Sequence, residues 1–216
     1  MINWQHEYRN LTLRLNKIRM EQNASKRLFI AIDLPLSIVD YVNSTVQTIK
    51  LRGLNHIRWV KTENLHITLK FLGNTPEELV ESVISDIETS CRSIKPFKLQ
   101  VQNLGVFPNI DSPRVLWMGI RGNINPILHI KNKLDKRLQI HGFSPENRSF
   151  SPHLTIGRIN KGLTEEDVSV LARCITEIAQ CPPAYVEVSS LDLVESHLTK
   201  EGSIYTTRHK EALKTD

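Results

Sequence analysis

The chain has 216 residues, 40% hydrophobic and 24% charged, with a formal net charge of +5; this is ordinary globular composition and excludes the fibrous and disordered classes. No apolar run reaches the roughly 18 to 20 residues that span a bilayer, and no secretory apolar stretch follows the first Met, so a cytoplasmic protein without membrane contact is expected. Cys91, Cys174 and Cys181 are odd in number and lack CxxC spacing, which excludes a disulfide framework and a zinc knuckle.

The excess charge sits at the front, where residues 1–27 hold six Lys/Arg against two acidic residues. A basic leader over 1–26, helical or disordered, is expected there; such a segment suits a solvated helix as well as a polyanion surface. Residues 27–35 (RLFIAIDLP) are rich in β-branched and aromatic residues and end at proline, which predicts a strand. Ile38, Val42, Thr45, Val46 and Ile49 then recur at helical spacing up to Gly53. In residues 66–73 (HITLKFLG), strict alternation sends His66, Thr68 and Lys70 to one face and Ile67, Leu69 and Phe71 to the other. Thr75-Pro76-Glu77-Glu78 spells a capping box with proline at the first helical position, and Val80, Val83, Ile87 and Cys91 continue an amphipathic helix.

Two strand-like runs, 97–107 and 114–120, flank the turn-forming PNIDSP and read as a hairpin. Ile127, Ile130, Leu134 and Leu138 mark a third helix closed by Gly142, residues 153–159 (HLTIGRI) a further strand, and residues 164–179 a fourth helix. A β-rich run over 184–198, a turn at 199–202 and a short strand at 204–206 complete a single domain over 27–208, with a tail over 209–216.

Strand, helix, strand with His-x-Thr, helix thus occurs twice, the histidines 87 residues apart. Such doubling predicts an α+β fold of two pseudo-symmetric lobes sharing a cleft, undivided by any Pro/Gly/Ser-rich linker. His197-Leu198-Thr199 spells the triplet a third time, but it runs straight into the turn KEGS and reads as hairpin polarity. In the other two copies, alternation sets His66 with Thr68, and His153 with Thr155, on one strand face about 7 Å apart.

Two imidazoles and two hydroxyls facing each other suit one kind of chemistry in particular. Imidazole titrates at about pH 6.5, so one ring serves as general base while its partner serves as acid. Hydroxyls donate to the non-bridging oxygens of a phosphoryl group. In-line displacement at phosphorus needs proton removal on one side and delivery on the other, which two strands across a cleft supply. Metal hydrolysis would want HxH, HxxxH or a carboxylate cluster near a histidine, a nucleophilic triad a GxSxG elbow, and nucleotide-driven transfer a P-loop. The chain has none of these, so neither a metal nor a cofactor is expected.

Taken in order between residues 27 and 206, RLFIAIDLP, WVKTENLHITLKFLG, PRVLWMGI, RSFSPHLTIGR and ESHLTKEGSIY resemble the two-histidine phosphoesterase superfamily. Within it, the chain is similar to the RNA 2′,3′-cyclic phosphodiesterases once described as 2′-5′ RNA ligases. The resemblance implies a bilobal fold, each lobe an antiparallel sheet with helices, and hydrolysis of RNA 2′,3′-cyclic phosphate ends to 2′-phosphomonoesters by a monomer without metal. It implies His66 and His153 as the acid/base pair, with His66 favoured as acid, Thr68 and Thr155 as phosphate contacts, and Arg158 as a phosphate-neutralising arginine. Phe71 and Tyr205 are base-stacking candidates, with Trp59 a further aromatic, and Arg114 and Arg148 lie in similar stretches. Strict alternation puts Arg158 on the face opposite His153, so Gly157 has to bulge or end the strand if the arginine is to reach the cleft. The same pair run in reverse would join RNA ends by a 2′-5′ linkage, and a non-catalytic RNA- or nucleotide-binding module is the other alternative.

Overall fold

The computed structural model describes residues 25–146, 149–160 and 162–214. The expected leader, apart from Ser25 and Lys26, and Arg148 lie outside the described residues. Among the described residues, nine strands pair antiparallel in one sheet: β1 (Ser25–Asp33), β2 (Ile57–Trp59), β3 (His66–Pro76), β4 (Phe97–Phe107), β5 (Val115–Gly122), β6 (His153–Ile159), β7 (Ala184–Val188), β8 (Ser190–Thr199) and β9 (Gly202–Ala212). Their order is β7-β4-β5-β6-β3-β1-β8-β9, with β2 added to β6. Each half is a lobe, and the seam falls between β3 and β6, where a single pair, Ile67 with Leu154, is in register.

Four helices, α1 (Leu36–Lys50), α2 (Val80–Cys91), α3 (Asn125–Leu138) and α4 (Glu165–Ile178), pack on the sheet among the described residues. Two of them exchange lobes. Helix α1 leaves β1 of the first lobe and packs on β7 of the second, where Tyr41 Oη donates to the Pro182 carbonyl at 3.0 Å and Arg52 meets Glu177 of α4 at 2.6 Å. Helix α3 leaves the second lobe and packs beside α2 and β3 of the first, with Arg137 on Asp86 at 2.7 Å. One apolar core therefore underlies both lobes, holding Ile30, Ile67 and Leu69 together with Leu116, Leu154 and Ile156. Each such buried side chain stabilises the fold by roughly 1.5–3 kcal/mol.

Local chemistry explains the helix ends. Thr164 and Asp167 form a reciprocal capping box at the start of α4, and α3 runs through a 3-10 turn into Gly142, whose φ of 86° closes the helix. The capping box spelled at Thr75 does not form. Thr75 pairs with Lys26 in the β1 ladder, which holds it extended, and α2 starts only after a 3-10 turn over Glu77–Leu79. The run over 184–198 breaks at Ser189 into β7 and β8, which lie in opposite lobes. Strand β9 is much longer than the expected 204–206; it pairs with β8 through Ala212, and Leu213 is buried. The expected tail from 209 thus belongs to the sheet as far as Ala212, its charged residues being those that keep an edge strand from pairing with another chain.

Strict alternation also fails within β3. Against β1, Thr68 pairs with Ala31 and Lys70 with Ile30, leaving Leu69 extra, and a second extra residue, Leu72, follows Phe71. The bulge at Leu69 reverses the faces: Lys70 is buried, and Phe71 is 69% exposed. No helix among the described residues is long and apolar enough to cross a membrane.

Candidate active site

The seam brings the two His-x-Thr strands side by side. Ile67 and Leu154, the paired residues, are both fully buried in the core, so their neighbours His66, Thr68, His153 and Thr155 project from the opposite face, where all four are half-buried. Antiparallel pairing directs His66 toward Thr155 and Thr68 toward His153. The two rings are held alike: His66 Nδ1 lies 2.7 Å from the Asn64 carbonyl oxygen, and His153 Nδ1 lies 2.8 Å from that of Ser151. A carbonyl only accepts, so Nδ1 carries the proton in each ring, and Nε2 is the acceptor when the ring is neutral and a donor when it is charged. Asn64 is itself fixed, its Nδ2 donating to the Ser203 carbonyl at 2.8 Å. Sequence reasoning missed Asn64 and Ser151, because backbone carbonyls leave no side-chain signal.

Aromatic rings wall both imidazoles. Phe29 lies 4.8 Å from His66, and Tyr205 stands edge-on at 5.4 Å; across the seam Phe107 stands edge-on to His153 at 5.0 Å, with Trp117 at 6.2 Å. Burial pushes His66 below the ordinary imidazole value; the Asn64 carbonyl and Asp33 oppose this, and the nearby charge of His153 adds to it. Asp33 and Asp192 line a small cavity with Phe29, His66 and Tyr205. Burial holds the Asp192 carboxyl above its ordinary range, although Lys210 lies 3.5 Å away.

A second bulge decides where Arg158 goes. Thr155 pairs with Trp117 and Gly157 with Leu116, leaving Ile156 extra. The faces reverse there, so exposed Arg158 shares the face of His153 and Thr155. Only glycine fits at the bulge, since a Cβ on Gly157 would lie 2.6 Å from Ile57 Cγ2. The bulge in β3 does the same for Phe71, whose ring lies 6.0 Å from Phe29. Each lobe therefore presents the residue five positions after its histidine: Phe71 in one, Arg158 in the other.

The remaining sequence candidates lie elsewhere. Trp59 packs against the core with Lys50 over its ring, and Arg114 is exposed just before β5. His197 of the third triplet pairs with Glu195 at 3.3 Å, and Thr199 donates to the Gly202 carbonyl at 2.8 Å within the hairpin turn. Among the described residues, Glu88, His209 and Glu211 have metal-ligand spacing. His209 and Glu211 lie opposite the core residues Leu193 and Leu191 of β8, on the helix-covered face.

Comparison with known proteins places this geometry. The LigT like Phosphoesterase family matches residues 32–117 and 121–205, the first segment holding the His66 strand and the second the His153 strand. The chain is 36% identical over 156 residues to the RNA 2′,3′-cyclic phosphodiesterase of Aeropyrum pernix, covering 71% of this chain and 85% of that protein. A protein of the same name from Methanothermobacter thermautotrophicus is 35% identical over 180 residues, covering 83% and 95%. A crystal structure of a Thermus thermophilus protein aligns with a TM-score of 0.70 at 25% identity, over 87% of this chain and 97% of that one. The structure of E. coli LigT with 3′-AMP shares the fold, with a TM-score of 0.68 at 24% identity over 89% and 100%. With both lobes matched and relatives covered almost end to end, this chain belongs to the LigT-like phosphoesterase family.

Proposed function

We propose that this protein hydrolyses the 2′,3′-cyclic phosphate at the end of an RNA to a 2′-phosphomonoester, with His66 and His153 as its acid/base pair and no metal in the step. It would act as a cytoplasmic monomer. The observation that carries this reading is the matched pair of imidazoles at the seam, each with Nδ1 bound to the carbonyl two residues earlier and Nε2 left for chemistry. Relatives named RNA 2′,3′-cyclic phosphodiesterase support the same reaction.

In the proposed step, His153 Nε2 removes a proton from water as its oxygen bonds to phosphorus. The bond from phosphorus to the 3′-oxygen breaks, and His66 Nε2 delivers a proton to the departing oxygen. The two rings thereby exchange charge states, and solvent restores them. Burial lowers the pKa of His66, which makes its imidazolium a stronger acid than an ordinary one and suits it to proton delivery. Thr68 and Thr155 donate to the non-bridging oxygens, Arg158 balances phosphate charge, and Phe71 and Tyr205 stack on the terminal base. The test is turnover of a cyclic-ended oligonucleotide in EDTA by wild type, His66→Ala and His153→Ala. Turnover indifferent to the chelator and lost by at least about 10² in each variant is expected; undiminished rates in both variants would sink the assignment.

A further inference from the structure

Arg58 and Arg158 stand directly opposite one another across β2 and β6. Their ladder neighbours Ile57 and Ile159 are buried in the core, so the two guanidinium groups share the other face, the one that carries His153 and Thr155. Both arginines are exposed, and neither guanidinium group makes an ion pair or hydrogen bond among the described residues. Several arginines of the fold are matched, Arg52 with Glu177, Arg137 with Asp86, and Arg208 with Glu77 and Glu195. Others, such as exposed Arg114 and Arg121, are not matched among the described residues, so what sets Arg58 and Arg158 apart is that they face each other across one ladder pair.

Like charges directly opposite on an antiparallel pair are destabilising. Strand β2 has only three residues, and one of its three pairs with β6 is this repulsive one. An anion seated between the two guanidinium groups would turn that repulsion into two charge-assisted contacts. Along β6, Arg158 lies three residues past Thr155, but with Ile156 bulged the two face β5 residues only two apart, roughly 7 Å. Arg58 stands level with Arg158 on the neighbouring strand, about 4.8 Å away, on the edge of β6 that also pairs with β3. Arg158 can turn back toward the phosphate held at the threonines. Because Arg58 is level with it, the pair as a whole centres about 7 Å along the sheet from Thr155, beyond the phosphate held there.

We infer that Arg58 and Arg158 together form a second anion subsite that holds the phosphodiester preceding the cyclic phosphate, so that the protein selects oligonucleotide ends over cyclic mononucleotides. This rests on the reaction proposed above. The probes are a 2′,3′-cyclic mononucleotide and a cyclic-ended trinucleotide with the same terminal base, assayed with the full chain carrying Arg58, Arg58→Gln or Arg58→Lys. Wild type favours the trinucleotide in kcat/KM, and in Arg58→Gln that preference falls about tenfold or more, mainly through KM, with partial recovery in Arg58→Lys. The slope of log(kcat/KM) for the trinucleotide against log salt also becomes shallower by about 0.7 in Arg58→Gln, one phosphate contact on a single strand. Thermal melting separates this from misfolding, because removing a like-charge pair leaves the melting temperature unchanged or higher. A preference equal in wild type and Arg58→Gln, or equal losses on both substrates, overturns the subsite while leaving the hydrolysis standing. Wild type that turns over neither substrate removes the parent reaction and the subsite with it.

Discussion

A carbonyl on Nδ1 decides which nitrogen of each imidazole is available, and the surroundings then decide when that nitrogen is charged. His66 sits between Phe29 and Tyr205, and its burial outweighs the help its charged form receives from the Asn64 carbonyl and Asp33. Its NMR titration midpoint should therefore fall below the ordinary value of about 6.5. His153 pushes the same way, so His153→Ala should move the midpoint of His66 upward. A midpoint indifferent to that substitution would mean that the rings do not share a site. Because the unfolded ring takes up protons at a higher pH than the folded one, this histidine costs the fold stability as pH falls from about 6.5 through the folded midpoint. Catalysis by one neutral and one charged ring also gives a bell-shaped dependence of kcat/KM on pH, and a flat profile from about pH 5 to 8 would count against two-histidine chemistry.

Elements carry the site only because two strands break their own period. Sequence alternation suffices for the first three residues of each triplet, and helical spacing locates α1, α3 and α4 to within a few residues. It cannot locate a bulge, because an extra residue is defined by the partner strand and not by the strand that contains it. Lys70 and Phe71 therefore exchange faces relative to strict alternation, whereas at Arg158 the glycine itself marks the break. Arg58 was missed for a related reason: its face is set by its pairing with β6. The family resemblance rests on motif order and spacing, which bulges leave intact, and so it survives where alternation fails. Gly157→Ala tests the bulge in β6. Its new methyl would meet Ile57 Cγ2 at 2.6 Å, so the variant should lose about 1–3 kcal/mol in urea unfolding. Its kcat/KM should fall further than that of a distant substitution of equal stability cost, because Arg158 and Thr155 are displaced with the strand.

At the scale of the whole molecule, the exchange of α1 and α3 makes the lobes inseparable. A fragment ending before β5 keeps α1 but loses β7 beneath it, exposing Ile38, Val42 and Ile49, all fully buried in the intact chain; it should remain unfolded by circular dichroism. The seam is also tied from below, where Lys70 of β3 donates to Asp135 of α3 at 2.7 Å and to the Ser144 carbonyl at 3.0 Å. Lys131 also donates to Asp135 and lies over the Phe150 ring, one residue before the Ser151 carbonyl that holds His153. Lys70→Met keeps the length of the side chain and removes its charge and hydrogen bonds, leaving Asp135 with Lys131 alone and the Ser144 carbonyl without this donor. Such a loss costs about 1–3 kcal/mol, and with one core under both lobes it should appear as a single unfolding transition moved to lower urea with its slope retained. Burial alone would raise the Asp135 carboxyl, but Lys131 and Lys70 more than offset it and hold it below the ordinary carboxylate range. The stability this supplies is present above the unfolded value of about 3.9 and lost as pH falls through the folded one. Lys70→Met should therefore weaken the pH dependence of stability in that window as well as lower the urea midpoint. Two separate transitions in either protein would show that the lobes fold independently and that this buried cluster does not join them.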